Sequence, residues 1–342
     1  MVKTRPALLL SLLTLAATAT AFSPYERGPH NTTHFHISTA DNPELVEEVE
    51  VWVPVNVGLY NVFYFLSGLG GTIPATTYNE LFHHMASHGV AVLAPWSLSL
   101  PVNPVDKVPY LESVMEWVGQ NLQEQLQLNG LMMGVVLNLD NYVLGGHSAG
   151  AHVQVEYLKK SCGRVTGQVW LSPVDGMDPA GLIPIFCIKP GTFLNYGTPT
   201  LHLAAGYDTV PGASGFACAP DKLSNDRFYN AMDTELAPKW SIESTRFAHA
   251  DLLDQTFIDI VEATAFCGHN SELTKEEHDV YRRFVGGQIV AFVNALYTID
   301  EDQCNSYLSY LEDPSLMSVQ VKVKHSNPTG RCPKASCEWF HP

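Results

Sequence analysis

Ser148 stands in a sequence setting that is typical of a catalytic serine. It is the central residue of Gly-His-Ser-Ala-Gly at 146–150, which matches the G-x-S-x-G motif of a nucleophile elbow. An apolar run at 142–144 precedes the motif, and a segment that can be helical follows it. Such a turn exposes the hydroxyl at a helix N-terminus, where backbone N–H groups can bind an oxyanion. The pattern predicts a nucleophile, and the alternative is a glycine-rich turn with a solvated serine.

A serine nucleophile needs a base, and His249 has the best position among the 14 histidines of the chain. It follows the predicted strand 242–247, and active sites of open parallel sheets lie at the carboxyl ends of the strands. His147 adjoins the nucleophile, but its side chain is expected to point away from the serine. His202 falls within a predicted strand, which favours a packed core position. We therefore predict that His249 is the general base.

Two aspartates are candidates for the acid that orients this histidine. Asp175 follows the predicted strand 167–171, and Asp208 follows the next one, 199–205. Both positions place a carboxylate near the histidine, and the pattern alone favours Asp208 because the acid more commonly follows the later strand. Either residue could instead serve as a turn or N-cap aspartate.

A glycine-rich loop at 67–71 follows the fully apolar run 62–66. A loop in this position can donate a backbone N–H to an active site. We predict that Leu69 and Ala149 provide the two N–H groups of an oxyanion hole. An ordinary strand-to-helix loop is the alternative, and the downstream motif at Ser148 argues against it.

The elements that carry these residues alternate between strand and helix, which predicts an α/β fold with a mostly parallel sheet covered on both faces by helices. No internal repeat or linker divides the chain. Residues 22–300 are predicted to form one domain, with an irregular leader at 23–43 and a lid or pocket wall within 177–197. Residues 301–342 are expected to form a polar, cysteine-containing tail. The other predicted strands are 44–55 and 90–93, and the helices are 78–88, 108–126, 151–160, 226–232 and one that begins at a capping box of Thr274 and Glu277.

Composition and the N-terminal sequence limit the binding partners and the cellular compartment that we expect for this protein. The chain has 342 residues, of which 46% are hydrophobic, and a formal charge of −16 with few, unclustered basic residues, which argues against nucleic acid and anionic membrane surfaces. Lys3 and Arg5, an apolar core at 7–17 and an A-x-A site predict a signal peptide at 1–21 and therefore secretion. No later run is long enough to span a bilayer. A sequon at Asn31 is consistent with export and glycosylation.

The seven cysteines predict disulfides in a secreted chain. Their odd number leaves at least one thiol free or intermolecular. Cys332 and Cys337 could close a small loop in the tail, although the sequence does not assign the connectivity. Their spacing also suits half a metal site, but no second pair matches it, so no metal is expected.

The motifs together resemble the chlorophyllase family of the α/β-hydrolase superfamily. The resemblance covers roughly residues 60–298 and depends on the set of motifs in order, since no single motif is decisive. It is carried by Phe-Tyr-Phe-Leu-Ser-Gly-Leu at 63–69, Met-Ala-Ser-His-Gly-Val at 85–90, Ala-Pro at 94–95, the elbow at 146–150, Pro-Val-Asp-Gly at 173–176, Cys-Ala-Pro at 218–220, His-Ala-Asp-Leu-Leu-Asp at 249–254 and Arg-Arg-Phe-Val-Gly-Gly at 282–287.

The resemblance implies an esterase that hydrolyses the phytyl ester of chlorophyll to chlorophyllide and phytol, without a cofactor. It also implies that the acid lies in the Pro-Val-Asp-Gly motif, which selects Asp175 and leaves Asp208 as the rival. The chain differs from plant members at Ser67, Ala149 and Ala248, where they have histidine, arginine and usually glycine. The expected substrate is a hydrophobic ester, either chlorophyll or a related tetrapyrrole ester, and a secretory signal points to a dietary or extracellular source.

The sequence leaves two other functions open. A secreted lipase or cutinase-like esterase is the first, because residues 198–211 resemble the acid loop of such enzymes. A non-catalytic hydrolase-fold binding protein is the second, although a full set of serine, acid and histidine argues against it.

Overall fold

The computed structural model describes residues 22–98, 103–177, 185–213, 215–327, 332–334 and 336–339. The predicted signal peptide lies outside these residues, as does part of the predicted lid. Eleven strands are present in the described part of the chain. They are β1 (Thr32–Ile37), β2 (Glu48–Pro54), β3 (Gly58–Leu66), β4 (Val90–Trp96), β5 (Val135–His147), β6 (Val165–Leu171), β7 (Tyr196–Gly197), β8 (Thr200–Ala205), β9 (Lys239–Ser244), β10 (Val321–Ser326) and β11 (Glu338–Trp339).

Helices follow most of the strands of the sheet. Within the described residues, no helix is long and apolar enough to cross a membrane. The helices are α1 (Gly68–Gly71), α2 (Asn79–Ser87), α3 (Val108–Leu128), α4 (Gly150–Lys160), α5 (Asp226–Ala231), α6 (Gln255–Thr264), α7 (Lys275–Tyr297) and α8 (Glu301–Glu312).

Nine strands form one sheet in the order β1-β2-β4-β3-β5-β6-β8-β9-β10. The six strands from β4 to β9 are parallel, and antiparallel strands extend the sheet at both edges. The strands that precede Ser148, Asp175, Asp208 and His249 are β5, β6, β8 and β9, which are consecutive neighbours. Their carboxyl ends therefore bring these four residues to one edge of the sheet.

Both faces of the sheet are buried, which explains why β3 reads as a continuous apolar run. Successive side chains point to opposite faces, so Val62 and Tyr64 pack with α3 and α4, while Phe63 and Phe65 pack with α2 and α7. This mostly parallel sheet between two layers of helices confirms the predicted α/β-hydrolase fold.

Two terminal segments contain helices or strands that the sequence did not predict. The predicted leader contains β1, an edge strand that pairs with β2. The predicted tail contributes α8 and β10, which pairs with β9 at the opposite edge. The side chains of β10 alternate between half-buried and exposed, because an edge strand with one solvated face does not require an apolar run. The polar sequence of β10 therefore gave no signal for a strand.

Three disulfides join six of the seven cysteines. Cys162 pairs with Cys337, Cys218 with Cys267, and Cys304 with Cys332. Cys332 and Cys337 therefore do not close the small loop that their spacing allowed, since each of them joins the end of the chain to a different helix region. The remaining cysteine, Cys187, is buried. Disulfides of this kind fit an oxidising compartment.

Candidate active site

The turn at Ser148 has the geometry of a nucleophile elbow. β5 ends at His147 and α4 begins at Gly150, and Ser148 itself adopts φ 55°, which L-residues adopt only with strain. A Cβ at Gly146 would lie 2.6 Å from the backbone of Ala151, and one at Gly150 would lie 2.3 Å from the Leu66 carbonyl. The two glycines of the motif are therefore required by the tight contacts of the turn.

His249 is held by Asp208 at the carboxyl end of the sheet. His249 Nδ1 lies 3.0 Å from Asp208 Oδ1, and both residues are almost fully buried. The second oxygen of Asp208 accepts hydrogen bonds from the Ala205 N–H and from Asn225 Nδ2, both at 3.0 Å. Because a carboxylate oxygen accepts hydrogen bonds, the imidazole nitrogen that contacts it is the donor. The imidazole proton therefore lies on Nδ1 and leaves Nε2 free as an acceptor. This is the tautomer that a general base requires.

Asp175, the acid selected by the family resemblance, lies elsewhere. Its oxygens accept hydrogen bonds from Arg227 Nε at 2.6 Å, from the Cys187 N–H at 2.6 Å and from the Ile188 N–H at 3.2 Å. Its side chain is fully buried, and only its neighbours Val174 and Gly176 line the cleft described below. The structure therefore places Asp208, the rival candidate, in hydrogen-bond contact with His249 where the family resemblance led us to expect Asp175, and the role of the acid stays a prediction. Asp175 does not reach His249 because the chain after β6 turns its side chain away from the cleft.

Asp175 has a histidine of its own, which is His152 on α4. The two side chains approach to 3.2 Å, and the buried Cys187 lies close enough to complete a set of three potential metal ligands. Arg227 already supplies a positive charge to the carboxylate, and the Gly176 N–H donates to His152 Nδ1. These contacts suit a structural cluster better than a cation site, because a metal would have to displace existing donors.

The glycine-rich loop forms the one-turn helix α1 beside the elbow. Leu69 and Gly70 both adopt left-handed conformations, with φ of 51° and 66°. The loop is fixed by the Ser67 hydroxyl, which donates to the Ile73 carbonyl at 2.5 Å, and by Thr72, which donates to the Leu69 carbonyl. Leu69 and Ala149, the predicted oxyanion donors, line the same cleft as Ser148 and His249.

This cleft has a volume of about 710 Å³, including its open mouth. Ser148 and His249 provide polar groups in a lining that is otherwise largely apolar. The Cys218–Cys267 disulfide forms part of one wall and joins the loop after Asp208 to the segment after α6. A pocket of this composition suits a hydrophobic ligand that is oriented by few polar groups. Its apolar lining includes Ile73, Val174, Met177, Leu253, Val261 and Phe266.

Sequence reasoning missed two residues that contact this machinery. His147 lines the cleft and donates to the His249 carbonyl, although its side chain was expected to point away. Asn225 supports Asp208 from a strained backbone conformation with φ 29°. The motif at 146–150 could have identified His147. No local signal marks Asn225, which comes from a loop far along the chain.

The chain is similar to known proteins over most of its length. The family described as Chlorophyllase matches residues 20–327. "Chlorophyllase-1, chloroplastic" from Citrus unshiu is 27% identical over 327 residues, which cover 94% of this chain and 93% of the relative. "Chlorophyllase-2" from Arabidopsis thaliana is 26% identical and covers 84% and 88% of the two chains. The protein is therefore a member of the chlorophyllase family and an ester hydrolase of the α/β-hydrolase fold.

Proposed function

We propose that this protein hydrolyses the phytyl ester of chlorophyll, or of a related tetrapyrrole, to the free acid and phytol. In this proposal Ser148 is the nucleophile, His249 the general base and Asp208 the acid. The N–H groups of Leu69 and Ala149 stabilise the oxyanion. The observation that carries the proposal is the 3.0 Å hydrogen bond between Asp208 and His249 beside an apolar cleft that contains Ser148.

The first half-reaction begins when Ser148 Oγ attacks the ester carbonyl. His249 Nε2 takes the hydroxyl proton, and Asp208 stabilises the imidazolium through Nδ1. The carbonyl oxygen becomes an oxyanion, and the two N–H groups bind it. When this intermediate collapses, the ester C–O bond breaks and His249 passes its proton to the departing phytol oxygen.

The second half-reaction releases the acid. Water attacks the acyl-serine carbonyl while His249 Nε2 accepts one of its protons. Collapse of the second intermediate breaks the bond to Ser148 Oγ, which regains the proton from His249. The products are a carboxylic acid and the free enzyme, and every proton passes through His249.

Product analysis with the purified mature protein tests the substrate directly. Chlorophyll should yield chlorophyllide and phytol, and Ser148→Ala should abolish this turnover and that of a p-nitrophenyl ester, since the nucleophile contributes about 10⁶-fold. Ser161→Ala, at the other end of α4, is the matched control. An unimpaired rate in Ser148→Ala would contradict the assignment of Ser148 as the nucleophile.

A general esterase for other hydrophobic esters is the second candidate. Its support is that the acid follows β8, in the loop that resembles the acid loop of cutinase-like enzymes. Rates with chlorophyll, a triglyceride and short p-nitrophenyl esters distinguish the two functions. A chain that reacts with none of these and fails to bind a fluorophosphonate probe would instead be a binding protein.

We further propose that the protein is secreted after removal of residues 1–21 and glycosylated at Asn31. Support comes from the three disulfides and from the exposed side chain of Asn31 directly before β1. Expression in a eukaryotic host should give a secreted chain that begins at Phe22. Its mass should fall on treatment with peptide N-glycosidase, and Asn31→Gln should remove this effect.

A further inference from the structure

The residue before the nucleophile connects two parts of the site that are distant in sequence. His147 Nε2 lies 3.1 Å from the carbonyl oxygen of His249, and its Nδ1 lies 2.7 Å from the hydroxyl of Tyr78. The same hydroxyl lies 3.1 Å from the backbone nitrogen of Gly68 in α1. A continuous chain of hydrogen bonds therefore runs from the loop of the base to the loop of the predicted oxyanion hole.

Each proton in this chain has one consistent position. The His249 carbonyl can only accept, so His147 carries its proton on Nε2 and donates there. Nδ1 is then an acceptor, and it receives the Tyr78 hydroxyl proton. The tyrosine oxygen in turn accepts from the Gly68 N–H. Burial and the nearby His249 hold the pKa of His147 well below its usual value, which keeps the ring in this neutral form.

The end of the chain at Gly68 adjoins a strained segment. Gly68 directly precedes Leu69, which is held at φ 51°. A left-handed conformation of a leucine persists only where surrounding contacts fix it. The bond from the Gly68 N–H to Tyr78 fixes the Ser67–Gly68 peptide, and the Gly68 carbonyl in the next peptide accepts from the Ile73 N–H at 3.2 Å. Together these two bonds limit where the Leu69 N–H can point.

We propose that Tyr78 and His147 are positioning residues that hold the oxyanion loop and the base in a fixed relation to each other. This inference rests on the proposed function of the site, and adds two cleft-lining residues that have no role in the bond-making and bond-breaking steps of the proposed reaction. A single imidazole and a single hydroxyl join the two loops, so the position of each loop depends on the other. Loss of either bond should misplace the oxyanion donor or the base in the transition state while substrate still binds.

Tyr78→Phe provides the cleanest test, because it removes only the hydroxyl. The Tyr78 ring packs against Phe65 and Phe82, and phenylalanine retains those contacts. With p-nitrophenyl butyrate, kcat per serine titrated by a fluorophosphonate should fall about 10- to 100-fold with KM nearly unchanged. Tyr142→Phe is the matched control, since its buried hydroxyl bonds to Tyr157 away from the cleft, and it should retain wild-type kcat.

A double-mutant cycle separates positioning from general destabilisation. His147→Phe retains an aromatic ring but lacks both ring nitrogens, so it can neither accept from Tyr78 nor donate to the His249 carbonyl. It therefore breaks the same bond as Tyr78→Phe, and the double variant should have a kcat within about 2-fold of the weaker single variant. Titration of the serine removes any contribution from unfolded protein, because only intact sites are counted.

Two results would overturn the inference: a Tyr78→Phe enzyme with wild-type kcat per titrated site, or losses that multiply in the double variant. Failure of the proposed chlorophyll reaction is a separate outcome. It would show as absent chlorophyllide with intact turnover of p-nitrophenyl butyrate, on which the cycle still decides. A wild-type serine that does not react with the probe overturns both.

Discussion

Asp208 and Asp175 are two buried aspartates that follow adjacent strands, and each has a histidine about 3 Å away. In the first pair, His249 lines the apolar cleft beside Ser148, and the buried Asp208 lies behind it. The pair of Asp175 and His152 is enclosed between α4 and the segment at Cys187. The two pairs cannot be told apart by sequence spacing. They differ in the charged and neutral groups that surround each carboxylate.

The difference lies in what neutralises each carboxylate. Asp175 forms an ion pair with Arg227 and accepts two backbone N–H groups, so its charge is already compensated. Apart from His249, Asp208 accepts hydrogen bonds from the neutral groups of Ala205 and Asn225. Its charge therefore remains available to stabilise an imidazolium, which is the function of the acid in a catalytic triad. A compensated aspartate organises structure, and an uncompensated one can support catalysis.

The two histidines should differ most in their effect on turnover. His249→Ala should lower kcat by roughly 10⁶-fold, because it removes the proposed base for Ser148. His152→Asn should retain most of the activity, since an asparagine oxygen can still accept from the Gly176 N–H. Esterase assays on both purified variants check this contrast. Comparable losses in the two variants would contradict it.

Arg227→Met should reveal the structural role of the second pair. It leaves the buried Asp175 carboxylate without its ion pair, and loss of one partner of a buried pair costs about 3–5 kcal/mol of unfolding free energy. Urea unfolding monitored by circular dichroism measures the change. Lys324→Met, which removes a surface ion pair to Asp226, should cost about 1 kcal/mol or less. A change in Arg227→Met no larger than this control would refute the structural role.

Asn225→Gly should separate activity from stability at the first pair. Glycine tolerates the φ of 29°, ψ of −87° found at this residue, so backbone strain is relieved. The same change removes the side chain that donates to Asp208 and accepts from His202, so kcat should fall by about 10-fold. Thermal unfolding and esterase kinetics measure the two effects. Unchanged kcat would show that Asp208 does not need this support.

Asp251→Asn should have the smallest effect on turnover, but it should change how the stability of the fold depends on pH. Burial is the main cause that raises the pKa of Asp251 to about 7. The folded protein then retains a proton that the unfolded chain loses near pH 4, so this group's stabilisation is full below pH 4 and declines as pH rises to about 7. Asparagine preserves an acceptor for the Ala248 N–H. Melting curves should therefore show a smaller loss of stability between pH 5 and pH 8 in the variant.

Melting temperatures that fall equally in both proteins over this range would show that Asp251 does not titrate there. Esterase activity at pH 8 is the companion measurement, and it should remain near the wild-type value because Asp251 does not line the cleft.

The central fold was predictable because its signals are local. The apolar run of β3, the elbow at 146–150 and the capping box at Thr274 each determine a nearby backbone conformation. The edge strands β1 and β10 were not predicted, since a strand with a solvated face lacks a long apolar run. Disulfide connectivity was not predicted either, because the pairing of Cys162 with Cys337 depends on how distant segments pack.

The hydrogen bond from His249 to Asp208 differs from the family-based prediction for a similar reason. Both aspartates follow strands whose carboxyl ends are adjacent, so topology places each of them within reach of the site. The direction of each side chain depends on the loops that follow β6 and β8, and on Arg227 and Asn225, which come from later in the chain. The pattern of strands alone favoured Asp208, and the motif Pro-Val-Asp-Gly shifted the choice to Asp175.

The most direct test compares Asp208→Asn with Asp175→Asn in one assay of p-nitrophenyl butyrate hydrolysis, corrected for the folded fraction. Asp208→Asn should lower kcat about 10⁴-fold, because the neutral amide neither fixes the His249 tautomer nor stabilises the imidazolium. Asp175→Asn should be less stable and retain turnover within about an order of magnitude, since it only indirectly affects the cleft wall. The reverse order, with Asp175→Asn inactive and Asp208→Asn active, would contradict the account.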